Sequence, residues 1–179
     1  MVIFLTGEPG SGKTSVVDRL ARKYGPLVGG IISREVLGEG GGRIGFDVET
    51  IGCGYRRVPL ARVSSESKIR VGRYGVDPLT VQEVVVPAIC RARPDQLLVI
   101  DEIAQMQMSS PVFCAVIRGL MEKGGLPILA TVHSRSNPFT DALLARSDVR
   151  VFRVNPENRD QVRRAIDDLL WHTLCAAPK

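Results

Sequence analysis

The chain has 179 residues, with 24 Lys and Arg against 19 Asp and Glu and 44% apolar residues. That composition suits one soluble domain with a substantial core, and it excludes disordered, collagen-like and membrane-embedded chains. The formal charge of +5 is local: Arg56, Arg57, Arg62, Lys68, Arg70 and Arg73 against Glu66 alone account for all of it, which argues against a surface coated for nucleic acid or membrane.

In chain order, the apolar run at residues 2–5 reads as a buried strand, too short and too poorly flanked by basic residues for a secretory leader. The loop Gly7-Glu8-Pro9-Gly10-Ser11-Gly12-Lys13-Thr14 and an amphipathic helix over 15–24 follow. A second strand at 28–32 leads into residues 31–35 and 44–50, two strands joined by the glycine-rich turn 38–42, predicted to form an antiparallel hairpin. After the basic segment 56–73, a polar cap followed by Pro marks helix starts at Asp77-Pro78, Ser110-Pro111, Asn137-Pro138 and Asn155-Pro156. Pro87 should kink or end the helical pattern over 81–90. Further strands are predicted at 97–100, 128–132 and 149–154. The helix from Ser110 places Phe113, Val116, Ile117, Leu120 and Met121 on one face, and the last helix does so with Val162, Ile166, Leu169 and Leu170. Continuous apolar strands alternating with helices imply an α/β domain whose mostly parallel sheet is covered on both faces. Cys53, Cys90, Cys114 and Cys175 show no metal-ligand spacing and read as reduced thiols. No apolar run approaches the ~20 residues of a membrane span, so no membrane partner and a cytoplasmic location are expected.

Residues 7–14 match the G-x-x-x-x-G-K-[ST] phosphate loop, placed between a strand and a helix as its chemistry requires. Glycines allow successive backbone N–H groups to turn inward, the helix N-terminus adds partial positive charge, Lys13 reaches the β- and γ-phosphates, and the Thr14 hydroxyl ligates Mg²⁺. Asp101, at the end of the apolar run 97–100, is the candidate second Mg²⁺ holder, and Glu102 is the candidate base for a water attacking the γ-phosphate. His133, after the strand at 128–132, is a candidate sensor or proton relay, with an ordinary hydrogen-bonded loop residue as the blander reading. Arg34 or an arginine of the 56–73 segment could offset transition-state charge, and that segment is expected to form a cationic lip beside the triphosphate.

Several segments in order resemble the THEP family, the cancer-related type of nucleoside-triphosphatase. They are Phe4-Leu5-Thr6-Gly7, the phosphate loop, Arg43-Ile44-Gly45-Phe46-Asp47-Val48, Val71-Gly72-Arg73-Tyr74-Gly75-Val76-Asp77, Val99-Ile100-Asp101-Glu102-Ile103 and Val151-Phe152-x-Val154-x-x-Glu157-Asn158-Arg159. The resemblance spans nearly the whole chain. It implies a RecA-like core with an inserted hairpin, and Mg²⁺-dependent hydrolysis of ATP, GTP, CTP and UTP with little choice among bases. The run Asp101-Glu102-Ile103-Ala104-Gln105-Met106-Gln107 departs from the family's D-E-I-G-K-M-E, with Gln in place of both Lys and Glu. If the family lysine neutralises phosphate charge, Gln105 has no charge to replace it, and a slowed or altered hydrolase follows. The family's Thr-x-Glu-x-Arg also stands here as Ser33, Glu35 and Leu37, with Arg34 a candidate for the lost arginine. Two other readings use the same residues. One is a kinase passing the γ-phosphate to a small molecule or polynucleotide. The other is a slow nucleotide-dependent RNA-binding switch, disfavoured by the scarcity of aromatic residues for stacking. A monomer is expected.

Overall fold

The central strands are built from side chains that point alternately to two buried faces. In β1 (Val2–Thr6), Ile3 and Leu5 pack towards one face of the sheet, while Val2 and Phe4 pack towards the other. The same split divides Leu97 and Val99 from Leu98 and Ile100 in β7 (Leu97–Ile103). One face is covered by α1 (Lys13–Tyr24), through Val16, Val17 and Leu20, and by α7 (Arg159–Leu174), through Val162, Ile166 and Leu170. The other is covered by α3 (Val86–Cys90), α5 (Pro111–Lys123) and α6 (Pro138–Leu144), with Ile89, Phe113, Ile117 and Leu143 in the core. Each fully buried side chain of this size contributes about 1.5–3 kcal/mol. These details come from a computed structural model that describes residues 1–52 and 54–175. Cys53 lies outside the described residues, and Cys90, Cys114 and Cys175 are free thiols.

Among the described residues, nine strands form one sheet in the order β5-β6-β4-β3-β2-β7-β8-β1-β9. The pivot is β2 (Val28–Leu37), which pairs in parallel with β7 and antiparallel with β3 (Arg43–Ile51). On one side of the pivot, β7, β8 (Ile128–Val132), β1 and β9 (Val149–Arg153) are all parallel. On the other, β3, β4 (Arg56–Arg62), β6 (Tyr74–Val76) and the short β5 (Arg70–Val71) are antiparallel. The expected hairpin is therefore present and built into the sheet, with Gly38 and Gly41 hydrogen bonding across its turn and Gly41 at φ +73°.

The basic segment extends this antiparallel half, which was not foreseen from its sequence. Only Leu60 and Ala61 of β4 are buried, because an outer strand needs little apolar surface. Pro59, which has no N–H for the ladder, sits where the pairing with β3 shifts register between Phe46 and Asp47.

Three of the four Pro-led helix starts hold. Asp77 accepts a hydrogen bond from the N–H of Leu79, Ser110 from that of Phe113 and Asn137 from that of Phe139. The fourth does not, since α7 begins three residues beyond Pro156. Asn155 Oδ1 instead accepts from the N–H groups of Glu157 (3.0 Å) and Asn158 (2.8 Å), closing a turn ahead of the helix. Pro87 does not end its helix. After α2 (Pro78–Thr80) the backbone widens into a π turn (Val81–Val85), in which Val86 N–H reaches back five residues to Val81, and α3 then runs through the proline. A wide turn is one way to accommodate a ring that clashes with the carbonyl four residues before it. Strand β9 is an edge strand rather than a buried one, with Val151 45% exposed and Arg150 and Arg153 guarding the edge. Among the described residues no helix is long and apolar enough to cross a membrane.

Candidate active site

The phosphate loop leaves β1 at Thr6 and enters α1 at Lys13. Gly10 (φ +78°) and Gly12 (φ +98°) occupy the left-handed region, and Gly12 caps the helix. Glycine is also required at position 7, where a Cβ would lie 2.3 Å from the Val154 carbonyl oxygen. Lys13 is buried and its Nζ donates to the carbonyls of Gly7 (2.8 Å) and Glu8 (3.0 Å), so the ammonium sits folded over the loop. No acidic residue occupies the first turn of α1, which leaves the positive end of the helix dipole uncompensated. Ser11 is buried, and its Oγ has no partner among the described residues.

Asp101 lies at the carboxyl end of β7 and is 1% exposed. Its Oδ1 accepts from Thr131 Oγ1 at 2.6 Å and from Thr14 Oγ1 at 3.2 Å, and its backbone carbonyl accepts from Ser33 Oγ at 2.7 Å. Its other carboxylate oxygen, Oδ2, is buried without a partner. Burial pushes the Asp101 carboxyl upward in pKa, against the hydrogen bonds from Thr131 and Thr14. Glu102 is pushed up to about 7, first by burial and then by the neighbouring Asp101 charge.

Several of these groups line one cavity of about 700 Å³. Pro9, Gly10, Gly12, Lys13 and Thr14 form one side, and Asp101 and Glu102 lie at its floor. Gly7 and Glu8 contribute the carbonyls that hold Lys13, while Ser11 is tucked into the loop; none of the three lines the cavity. His133 and Arg34 do line it. The His133 Nδ1 accepts the N–H of Arg135 at 2.9 Å, the ordinary loop role. The Arg34 guanidinium is engaged by Asp18 (2.7 Å) and Glu49 (2.5 Å).

The cationic lip does not form where the sequence suggested. Of residues 56–73, only Val71 and Gly72 line the cavity. Arg57 and Arg62 pair with Asp47, Arg70 binds the carbonyls of Ser65 and Arg73, and Arg73 donates to the Arg43 carbonyl. Strand pairing commits these four arginines to ion pairs and turn contacts. In the short helix α4 (Gln105–Met108), Gln105 is exposed at the cavity rim, whereas Gln107 is buried with its Nε2 3.5 Å from Ser33 Oγ.

Two site residues were missed from sequence. Thr131 stands out in retrospect as the one hydroxyl inside the apolar strand β8, beside Asp101. Arg43 reaches the cavity from β3, held by Tyr74 OH at 3.1 Å and Glu35 at 2.5 Å; its place in R-I-G-F-D-V was the one signal in its local sequence, and that segment carries no chemical motif.

The chain is similar to known proteins over nearly its whole length. A family model described as NTPase matches residues 2–167. Nucleoside-triphosphatase THEP1 of Methanothermobacter thermautotrophicus is 43% identical over 175 residues, covering 95% of this chain and 96% of that protein. The human cancer-related nucleoside-triphosphatase is 35% identical over 176 residues, covering 89% and 91%. Among solved structures, the crystal structure of THEP1 from Aquifex aeolicus matches with a TM-score of 0.87 at 29% identity, covering 95% of this chain and 99% of that one. The solution structure of a human cancer-related nucleoside triphosphatase matches with a TM-score of 0.79 at 32% identity, covering 99% of each chain. The expected RecA-like phosphate-loop fold is borne out.

Proposed function

Because the chain belongs to the nucleoside-triphosphatase family that includes THEP1, and is a hydrolase of that kind, we propose that it cleaves ATP, GTP, CTP and UTP to diphosphate and phosphate with Mg²⁺, using Lys13, Thr14, Asp101 and Glu102. The observation that carries this reading is the meeting of Thr14 and Asp101 at 3.2 Å beneath the phosphate loop. A class name that specifies nucleoside triphosphates rather than one base supports broad base use.

The donor set fits Mg²⁺. Asp101 Oδ2 is an unpartnered buried oxygen, and Thr14 supplies a hydroxyl beside it. Among the described residues no cluster of three His, Cys, Asp or Glu side chains gathers to hold a metal by itself. That suits Mg²⁺, which keeps waters and shares substrate phosphates rather than entering an all-protein cage. Thr14 and Asp101 would hold the ion, which when bound neutralises charge on the β- and γ-phosphates.

The protein's own groups do the rest. Backbone N–H groups from Gly10 to Thr14 and the start of α1 bind phosphate oxygens. The Lys13 ammonium exchanges its Gly7 and Glu8 carbonyls for the β- and γ-phosphates, an exchange of neutral for charged acceptors that favours the bound form. Glu102 accepts a proton from the attacking water. A carboxyl raised to about 7 is a stronger base than an ordinary glutamate and remains partly ionised near neutral pH. Thr131 orients Asp101 by occupying Oδ1.

The test is phosphate release by the purified protein from each of the four triphosphates, with Mg²⁺ or excess EDTA and with no acceptor present. Release from all four that EDTA abolishes is the expected result. Phosphate transfer that appears only after a hydroxyl compound is added would establish the kinase reading in its place.

A further inference from the structure

The two most distinctive sequence segments, R-I-G-F-D-V and V-G-R-Y-G-V-D, take no part in the chemistry above, although the fold explains half of their residues. A Cβ on Gly45 would lie 2.4 Å from the Ala61 carbonyl oxygen, and one on Gly75 would meet Ser65 at 2.8 Å. Asp47 pairs with Arg57 and Arg62, Val48 and Val76 are fully buried, and Asp77 caps α2. Of the seven that remain, Ile44 and Arg73 are exposed, whereas Arg43, Phe46, Val71, Gly72 and Tyr74 line the cavity, on the antiparallel half of the sheet.

They form an ordered wall. The rings of Phe46 and Tyr74 meet edge to face with centroids 5.2 Å apart, and the Arg43 guanidinium lies 5.0 Å from the Phe46 centroid. Tyr74 OH and Glu35 hold two of the guanidinium nitrogens, leaving the second Nη without a partner among the described residues. Met106 and Met108, adaptable apolar side chains, line the cavity as well. The cavity of about 700 Å³, which this wall shares with the phosphate loop, is of the size that takes a whole small molecule.

We infer that Arg43, Phe46 and Tyr74 form a second-ligand subsite for a small flat heteroaromatic molecule bearing a carboxylate or ring carbonyl, held next to the terminal phosphate. The ring packs on the aromatic and methionine surface, and the acceptor group takes the free Arg43 donor. Its position relative to the phosphate rests on the triphosphate reading above; the subsite itself does not.

The test is titration of ¹⁵N-labelled protein with indole-3-carboxylate, with and without ADP and Mg²⁺, followed by amide shifts. Saturable shifts centred on residues 43–46, 71–74 and 106–108, with a dissociation constant of about a millimolar, are expected for a ligand of this size. Phe46→Leu should weaken the carboxylate and the uncharged 3-methylindole alike, by at least roughly fivefold, whereas Arg43→Gln should weaken only the carboxylate. Thermal melting confirms that each variant is folded. Should one variant not fold, the other and the mapped shifts still decide. Absence of saturable shifts, shifts centred elsewhere, or affinities unchanged in the folded variants would overturn the proposal. Failure of the triphosphate reading would show separately, as missing ADP-induced shifts at residues 10–14.

Discussion

The two halves of the sheet are built from different materials. In the parallel half, β1, β7 and β8 are almost wholly apolar and buried, and polar groups such as Asp101 and Thr131 enter only towards their carboxyl ends. In the antiparallel half, charge runs along the strands, and ion pairs such as Arg34 with Glu49 and Arg62 with Asp47 tie neighbouring strands together. A strand buried on both faces can spare a polar residue only where something uses it, so its few polar side chains mark the proposed reacting groups and the residues that hold them. An outer strand carries charge freely, and its arginines mark structure as often as function.

This contrast can be broken or sharpened by substitution, and the largest effect belongs to the parallel half. Lys13→Ala removes the cation proposed to meet the terminal phosphates, and kcat/KM for phosphate release should fall by roughly 100-fold or more; a retained rate would assign the activity elsewhere. Thr131→Val keeps the shape of β8 while deleting the 2.6 Å hydrogen bond to Asp101. The Mg²⁺ concentration for half-maximal rate should rise by about 10- to 100-fold, as for other residues that orient a metal ligand.

Glu102 gives a pH-dependent effect on the nucleotide-free, metal-free protein. Its carboxyl is raised from an ordinary 4.5 to about 7 in the folded state, so the native chain binds a proton that the unfolded chain releases. Its contribution to stability is therefore lost as pH rises across that window. Glu102→Gln should stabilise the protein by about 1–3 kcal/mol near pH 8 and by nothing near pH 4, read by denaturant unfolding. Asp47→Asn, in the antiparallel half, should cost only about 1 kcal/mol by the same measurement and leave turnover unchanged, since it loosens partly exposed pairs away from the reacting groups. A large loss of turnover from Asp47→Asn would dissolve the distinction between the halves.

Much of the parallel half was legible in the sequence. Its apolar runs, the loop at 7–14 and the acid pair 101–102 all follow from periodicity and motif. The antiparallel half was readable only as far as the glycine-turned hairpin. Strands β4, β5 and β6 escaped notice because Pro59 and the arginines disguise them, and because their partners lie outside any local window. Asn155-Pro156 looked like a helix start, but the Asn side chain can close a turn just as well, and here that turn forms. The site follows the same rule. Lys13, Thr14, Asp101 and Glu102 announce themselves in short motifs, whereas Thr131 meets Asp101, and Arg43 reaches the cavity, only through strand order.

The claim that Glu102 activates water above a loop that binds phosphate without it is tested most directly by single-turnover hydrolysis of ATP by Glu102→Gln, with nucleotide affinity measured on the same preparation. The account predicts affinity within about threefold of the unsubstituted protein and a hydrolysis step slowed by roughly 100-fold or more. Hydrolysis at the original rate, or a loss confined to binding, would contradict it.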